Sequence, residues 1–199
     1  MRKAWLLPVL ALVCFVATPA HANTITFGAI LNGPSESPPT ISLGTGTALV
    51  TIDTLANTMR VQVTFANLVT TGTGSTASHI HCCTPAPFSG TAGVATATPT
   101  FPGFPLGVRS GTYDQTFNLL DAASYNPAFI SANGGTVGSA EAIFLAGMFA
   151  NETYLNIHSS TFGGGEIRGF LQVVPEPTTI SLVGLGLGAL VRSVRRRVL

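Results

Sequence analysis

Apolar and polar residues alternate with a period of two through most of residues 24–173, the pattern of half-buried β-strands. Residues 24–31 (TITFGAIL), 46–53 (GTALVTID) and 59–65 (MRVQVTF) alternate, and residues 53–58 read as a hairpin connection between the last two. Residues 78–82 are short and extended, and residues 92–98 are expected to add a strand. Residues 111–119 alternate again, with Tyr113, Phe117 and Leu119 expected on the buried face. Residues 154–158 and 166–173 close the domain, joined by a flexible loop over 159–165, and the proline-rich piece 99–105 reads as a loop. Two stretches break the period. Residues 126–132 predict a helical turn begun by Asn126 with Pro127 at its first position. Residues 139–151 predict a helix capped by Ser139, with Glu141 in its first turn and Ala142, Ile143, Leu145, Ala146, Met148 and Phe149 covering much of its surface. Seven or eight short strands with one or two short helices predict a mainly β fold, a β-sandwich of Greek-key type.

The ends follow another logic. Arg2 and Lys3, an apolar run over residues 5–16 and the small-x-small site Ala20-His21-Ala22 form a secretory signal peptide over residues 1–22. At the other end Pro175-Glu176-Pro177 is followed by an apolar run over 178–191 and then Arg192, Arg195, Arg196 and Arg197. Four of the nine basic residues crowd into this tail, where arginine resists crossing the bilayer. The run extends about 21 Å as a helix against a hydrocarbon core of about 30 Å. Gly184, Gly186 and Gly188 weaken it further as a permanent span. It reads as a short transmembrane segment and transient anchor. Motif, apolar segment and basic end together resemble the PEP-CTERM sorting signal of Gram-negative bacteria. That resemblance implies cleavage near Pro175, Glu176 and Pro177 by an exosortase-type enzyme, transient residence in the inner membrane, and a cell-surface or extracellular destination.

Between the signals lies one domain, residues 23–174, with Arg60, Arg109 and Arg168 against seven acidic residues. It has no lysine and no basic patch, which argues against nucleic acid as a partner. Its chemistry gathers in Ser78-His79-Ile80-His81-Cys82-Cys83, in Tyr154-Leu155-Asn156-Ile157-His158, and in Gly165-Glu166-Ile167-Arg168-Gly169. All three histidines of the domain lie there. These motifs, with an opening segment that carries Gly33, Glu36, Pro38, Pro39, Gly44 and Gly46, resemble the CHRD domain, first described in chordin and widespread in secreted bacterial proteins. The family's biochemical role is poorly defined, so the resemblance names the domain better than an activity.

On a strand, residues i and i+2 face one side, so His79 and His81 can address one ion, and His158 can complete three nitrogens. Neutral imidazoles suit copper or zinc. The set is faintly like the copper half of a superoxide dismutase, also a Greek-key sandwich, which is analogy at fold level only. An immunoglobulin-like sandwich fits the pattern as well. The competing reading is a hydrogen-bonded network with Asn156 or Glu166 as partners. Glu166 and Arg168 are two apart and read as a partly buried ion pair fixing the last strand. Cys82 and Cys83, alone in an oxidising compartment, point to a vicinal disulfide, with a soft metal site beside His81, an intermolecular bridge or free thiols as alternatives. No nucleophile motif, phosphate loop or Ser-His-Asp arrangement is present, so catalysis is not the primary expectation. The resulting expectation is an exported, envelope-sorted protein with a structural or adhesive role in the extracellular matrix or exopolysaccharide. Its rival is a copper- or zinc-binding metalloprotein or redox enzyme.

Overall fold

The computed structural model describes residues 24–69 and 72–175. Strands β1 (Thr24–Asn32), β2 (Thr45–Asp53) and β3 (Thr58–Ala66) form an antiparallel meander. Their alternation explains the shape. Ala48, Val50 and Ile52 of β2 and Met59, Val61, Val63 and Phe65 of β3 are buried, while Thr47, Thr64 and Arg60 between them face outward. The hairpin joining β2 to β3 is closed by the Asp53 carboxylate, which accepts the Leu55 and Ala56 N–H groups at 2.9 Å each.

The chain continues through β4 (Ser75–His81), β5 (Gly111–Asn118), α1 (Pro127–Ala132), α2 (Val137–Phe149), β6 (Tyr154–Ser159), β7 (Ile167–Phe170) and β8 (Gln172–Val173). The strands form one antiparallel sheet in the order β4-β6-β7-β1-β2-β3-β5, with β8 also on β1. The fold is mainly β with two short helices, as the periodicity predicts, and the curled sheet fits a sandwich- or barrel-like architecture. The segment between β4 and β5 closes the curl. Phe101 donates its N–H to Ser78 of β4 at 3.1 Å and packs its ring 5.8 Å from Tyr113 and 5.4 Å from Phe117 of β5. Phe104 stacks 5.5 Å from Phe65. The proline-rich loop therefore carries two core aromatics across the seam between the sheet's ends.

Three local expectations change. Residues 92–98 form no strand but only isolated bridges, Val94 to His81 and Thr96 to Tyr125. The 166–173 strand divides into β7 and β8 at Leu171, whose N–H goes to Thr153 and whose side chain is fully buried. Helix α2 is capped by Thr136, not Ser139. Ser139 sits at the third helical position, and the two exchange bonds in a capping box, so Glu141 falls beyond the first turn. The buried stripe of α2 is Ala140, Phe144, Gly147 and Met148, whereas Ile143 and Phe149 stay exposed. Helix α1 has the expected Asn126 cap, whose side chain accepts the Ala128 N–H at 3.0 Å, with Pro127 first in the helix.

Candidate functional site

Strand β4 pairs with β6, setting His79 opposite Asn156 and Ala77 opposite His158. The pleat turns the three histidines toward one place. Ring centroids lie 5.8 Å apart for His79–His81, 5.2 Å for His79–His158 and 6.3 Å for His81–His158. One ligand atom from each lies within 4.8 Å of the others. His81 also stacks on Tyr154 at 4.7 Å with the rings nearly parallel.

Each ring spends one nitrogen on the backbone. His79 Nε2 bonds the Pro99 carbonyl at 2.6 Å, His81 Nδ1 the Ala92 carbonyl at 2.9 Å and His158 Nδ1 the Gly163 carbonyl at 2.9 Å. A carbonyl only accepts, so each of these nitrogens carries the N–H. In a neutral ring the other nitrogen is then a lone pair. His79 Nδ1 and His158 Nε2 are buried without a hydrogen-bond partner. His81 Nε2 lies 3.1 Å from the Asn156 side-chain oxygen, a contact satisfied when the amide turns its NH2 toward the ring. Burial is the leading cause that lowers the pKa of all three, to about 4 for His81, and the charge of neighbouring rings lowers it further for His79 and His81. All three are neutral at neutral pH, the state that ligates metal.

A second buried cluster stands behind Asn156. Arg168 pairs with Glu36, not Glu166: its Nε is 3.8 Å from Glu36 Oε2. The guanidinium also donates to the Ser35 carbonyl and to the Gly90 carbonyl, and lies 4.6 Å over the Tyr154 ring. The Glu166 carboxylate instead accepts the Ser42 hydroxyl at 2.6 Å and the Val69 N–H at 2.7 Å, tying the last strands to the loop before β2 and to the chain after β3. The Glu166–Arg168 pair expected from their spacing is thus two separate anchors. Position 166 lies just before β7, outside the regular pleat that the spacing assumed. Gly165 makes room for the cluster. A Cβ there would lie 2.6 Å from Glu36 Oε1 and 2.9 Å from Asn156 Nδ2, on a backbone with φ 133°. Burial pushes the Glu36 carboxyl up to about 7 despite the opposing Arg168 charge.

Cys82 and Cys83 are bonded to each other. Their sulfurs face Gly147 of α2, and Cys83 Sγ lies 3.8 Å from the Ile143 carbonyl. Among the described residues the group able to hold an ion contains the three histidines and no cysteine. The role of Glu36 as the arginine's partner is not visible in sequence, because an acidic residue in a proline-rich loop carries no sign of which distant strand it meets. Of the sorting residues only Pro175 is described; Glu176, Pro177, Arg192, Arg195, Arg196 and Arg197 lie outside, as do the signal peptide and the apolar run 178–191 read as transmembrane. Among the described residues no helix is long and apolar enough to cross a membrane.

Compared with known families, residues 27–171 match the CHRD domain and residues 173–197 the PEP-CTERM protein-sorting motif. No curated protein and no solved structure matches the chain. The sorting motif implies processing by exosortase, export across the inner membrane, and delivery to the cell surface or extracellular space. The chain belongs to the CHRD domain family and is an exported, exosortase-sorted member of it.

Proposed function

We propose that this exported domain binds a transition metal, copper or zinc, through His79, His81 and His158. One observation carries the reading: each imidazole anchors its N–H on a backbone carbonyl, and the other nitrogens of His79 and His158 are buried and unpartnered, while that of His81 meets the Asn156 side chain. Leaving two buried acceptors bare costs about 1–3 kcal/mol each, which a ligand would offset. Carbonyl-anchored N–H groups are also the usual outer support of metal-binding histidines. Copper or zinc bonds imidazole nitrogen at about 2.0–2.1 Å, which sets the nitrogens about 3.4 Å apart in a tetrahedral site. One ligand atom from each ring lies within 4.8 Å of the others, so binding would draw the rings inward. Three neutral ligands leave an open position, as reactive sites do. A bound ion would supply Lewis acidity or, for copper, one-electron chemistry, and the three histidines would hold it.

A structural or adhesive role in the extracellular matrix or exopolysaccharide is the second reading, favoured by the sorting tail. The two are compatible. Metal analysis of the secreted, processed protein tests the first: stoichiometric copper or zinc that disappears in His79→Ala and His158→Ala variants is expected. A metal-free protein that gains none on titration would leave the histidines as a hydrogen-bonded clasp.

A further inference from the structure

We propose that the apolar groove along β1, β2 and β8 rests on the membrane surface while the uncleaved tail still tethers the domain. The groove is lined by Ile30, Leu49, Phe88, Phe170, Val173 and Val174 with small and polar uncharged neighbours, and no charged residue contributes to it. Ile30 is 74% exposed, Phe88 50% and Val173 47%, a contiguous apolar surface that water alone does not favour. Phe88 is doubly costly. It holds φ 58°, unusual for a bulky residue, and its N–H is pinned to the Asn151 carbonyl at 3.0 Å while its ring leans on Phe170 at 6.1 Å. The backbone is thus over-determined so as to present an aromatic ring outward.

The chain itself says what covers this face. Pro175, which opens the Pro-Glu-Pro element of the sorting motif, lines the groove, so the tail leaves the domain from the groove's own edge. Only four residues, 174–177, separate β8 from the apolar run that starts at Thr178. Fully extended they reach about 14 Å. A tail seated in the bilayer therefore holds this face against the headgroups at high effective concentration, and even a weak apolar contact forms. Cutting near Pro175 removes the tether, and the contact dissolves. The docking accordingly belongs to the precursor and ends with processing. It rests on the tail's occupying the membrane and is independent of any metal.

The only tryptophan of the chain is Trp5, within the signal peptide. Phe88→Trp, and separately Val173→Trp, thus place a single reporter in the mature chain. The signal-processed chain with its tail intact is reconstituted into vesicles of zwitterionic lipid with shallowly brominated acyl chains. Flotation reports the tail, and quenching reports the groove. Quenching of both reporters at least twofold stronger than that of Leu120→Trp, beyond β5, is expected, and it falls to the Leu120→Trp level after cleavage before Thr178. Flotation without preferential quenching overturns the docking alone, and failure to float overturns its premise. Reporters that are shielded from lipid but grow bluer with protein concentration assign the face to a second copy. Slower processing of Phe88→Ser, without lipid quenching of the tryptophan reporters, assigns it to the processing enzyme. Either of these also overturns the proposal.

Discussion

Glu36 holds a proton that the unfolded chain would release, because burial pushes its carboxyl up to about 7 from an unfolded value near 4.3. Its contribution to stability is complete below about pH 4.5 and is lost as the pH rises toward about 7. His81 has the opposite sign. Its folded pKa is depressed to about 4, so its contribution is complete above about pH 6.5 and is lost as the pH falls through about 4. Glu36→Gln should therefore abolish a loss on the order of 2 kcal/mol between about pH 5 and pH 8. Urea midpoints of both proteins with a chelator present check this; parallel pH curves would refute it. Arg168 is only 4% exposed, and its charge is met by the Ser35 and Gly90 carbonyls and, above about pH 7, by the ionised Glu36. At about pH 8, where Glu36 is ionised, Arg168→Met strips it of its partner and should cost about 3–5 kcal/mol, with part regained in the double variant with Glu36→Gln.

At the scale of elements, α2 and the cysteine pair act on each other. A Cβ at Gly147 would meet Cys83 Sγ at 2.5 Å and Cys82 Sγ at 2.7 Å. Helix propensity alone favours alanine over glycine by about 1 kcal/mol. Overpacking against two sulfurs that cannot swing apart costs about 1–3 kcal/mol. The clash should win, so Gly147→Ala is expected to be destabilising with the cysteines present and neutral or stabilising once both are alanine. Thermal unfolding of the four variants in this cycle measures the coupling, and simple additivity would remove the argument. The elements themselves were largely legible. Tyr113, Phe117 and Leu119 fall on the buried face of β5 and its end as alternation predicts, and Asn126-Pro127 starts α1. The misplaced cap of α2 has a local cause. Thr136 and Ser139 are both good cap residues three apart, and a capping box uses both, so composition alone does not say which comes first. Residues 92–98 alternate like a strand, yet against β4 they form one bridge, a few irregular backbone bonds such as Ala95 N–H to the Ile80 carbonyl at 3.0 Å, and side-chain bonds such as the Ile80 N–H to Thr96 Oγ1 at 3.0 Å, not a ladder.

For the whole molecule, the seam between β4 and β5 is the point of greatest leverage. Phe101 is fully buried, and its backbone and ring hold opposite ends of the sheet. Phe101→Ala should cost about 3–5 kcal/mol, the range for truncating a buried aromatic. Chemical denaturation checks the magnitude, and a change below about 1 kcal/mol would show that the seam is not load-sharing. Processing is tested on the same scale: mass spectrometry of the surface fraction should find a C-terminus before Thr178 and no arginine tail. Local order and composition carry the period-two strands, the sorting motif, the family motifs, and the gathering of the domain's three histidines into β4 and β6. Who meets whom follows from tertiary packing. It joined Arg168 to Glu36 and Glu166 to Ser42 and Val69, turned the three imidazoles on one point, set the cysteines against Gly147, and brought the apolar face to the tail's exit. Those choices arise from the curl of the sheet and the register of β4 on β6, which are set by burying one shared core and leave no periodic trace in the chain.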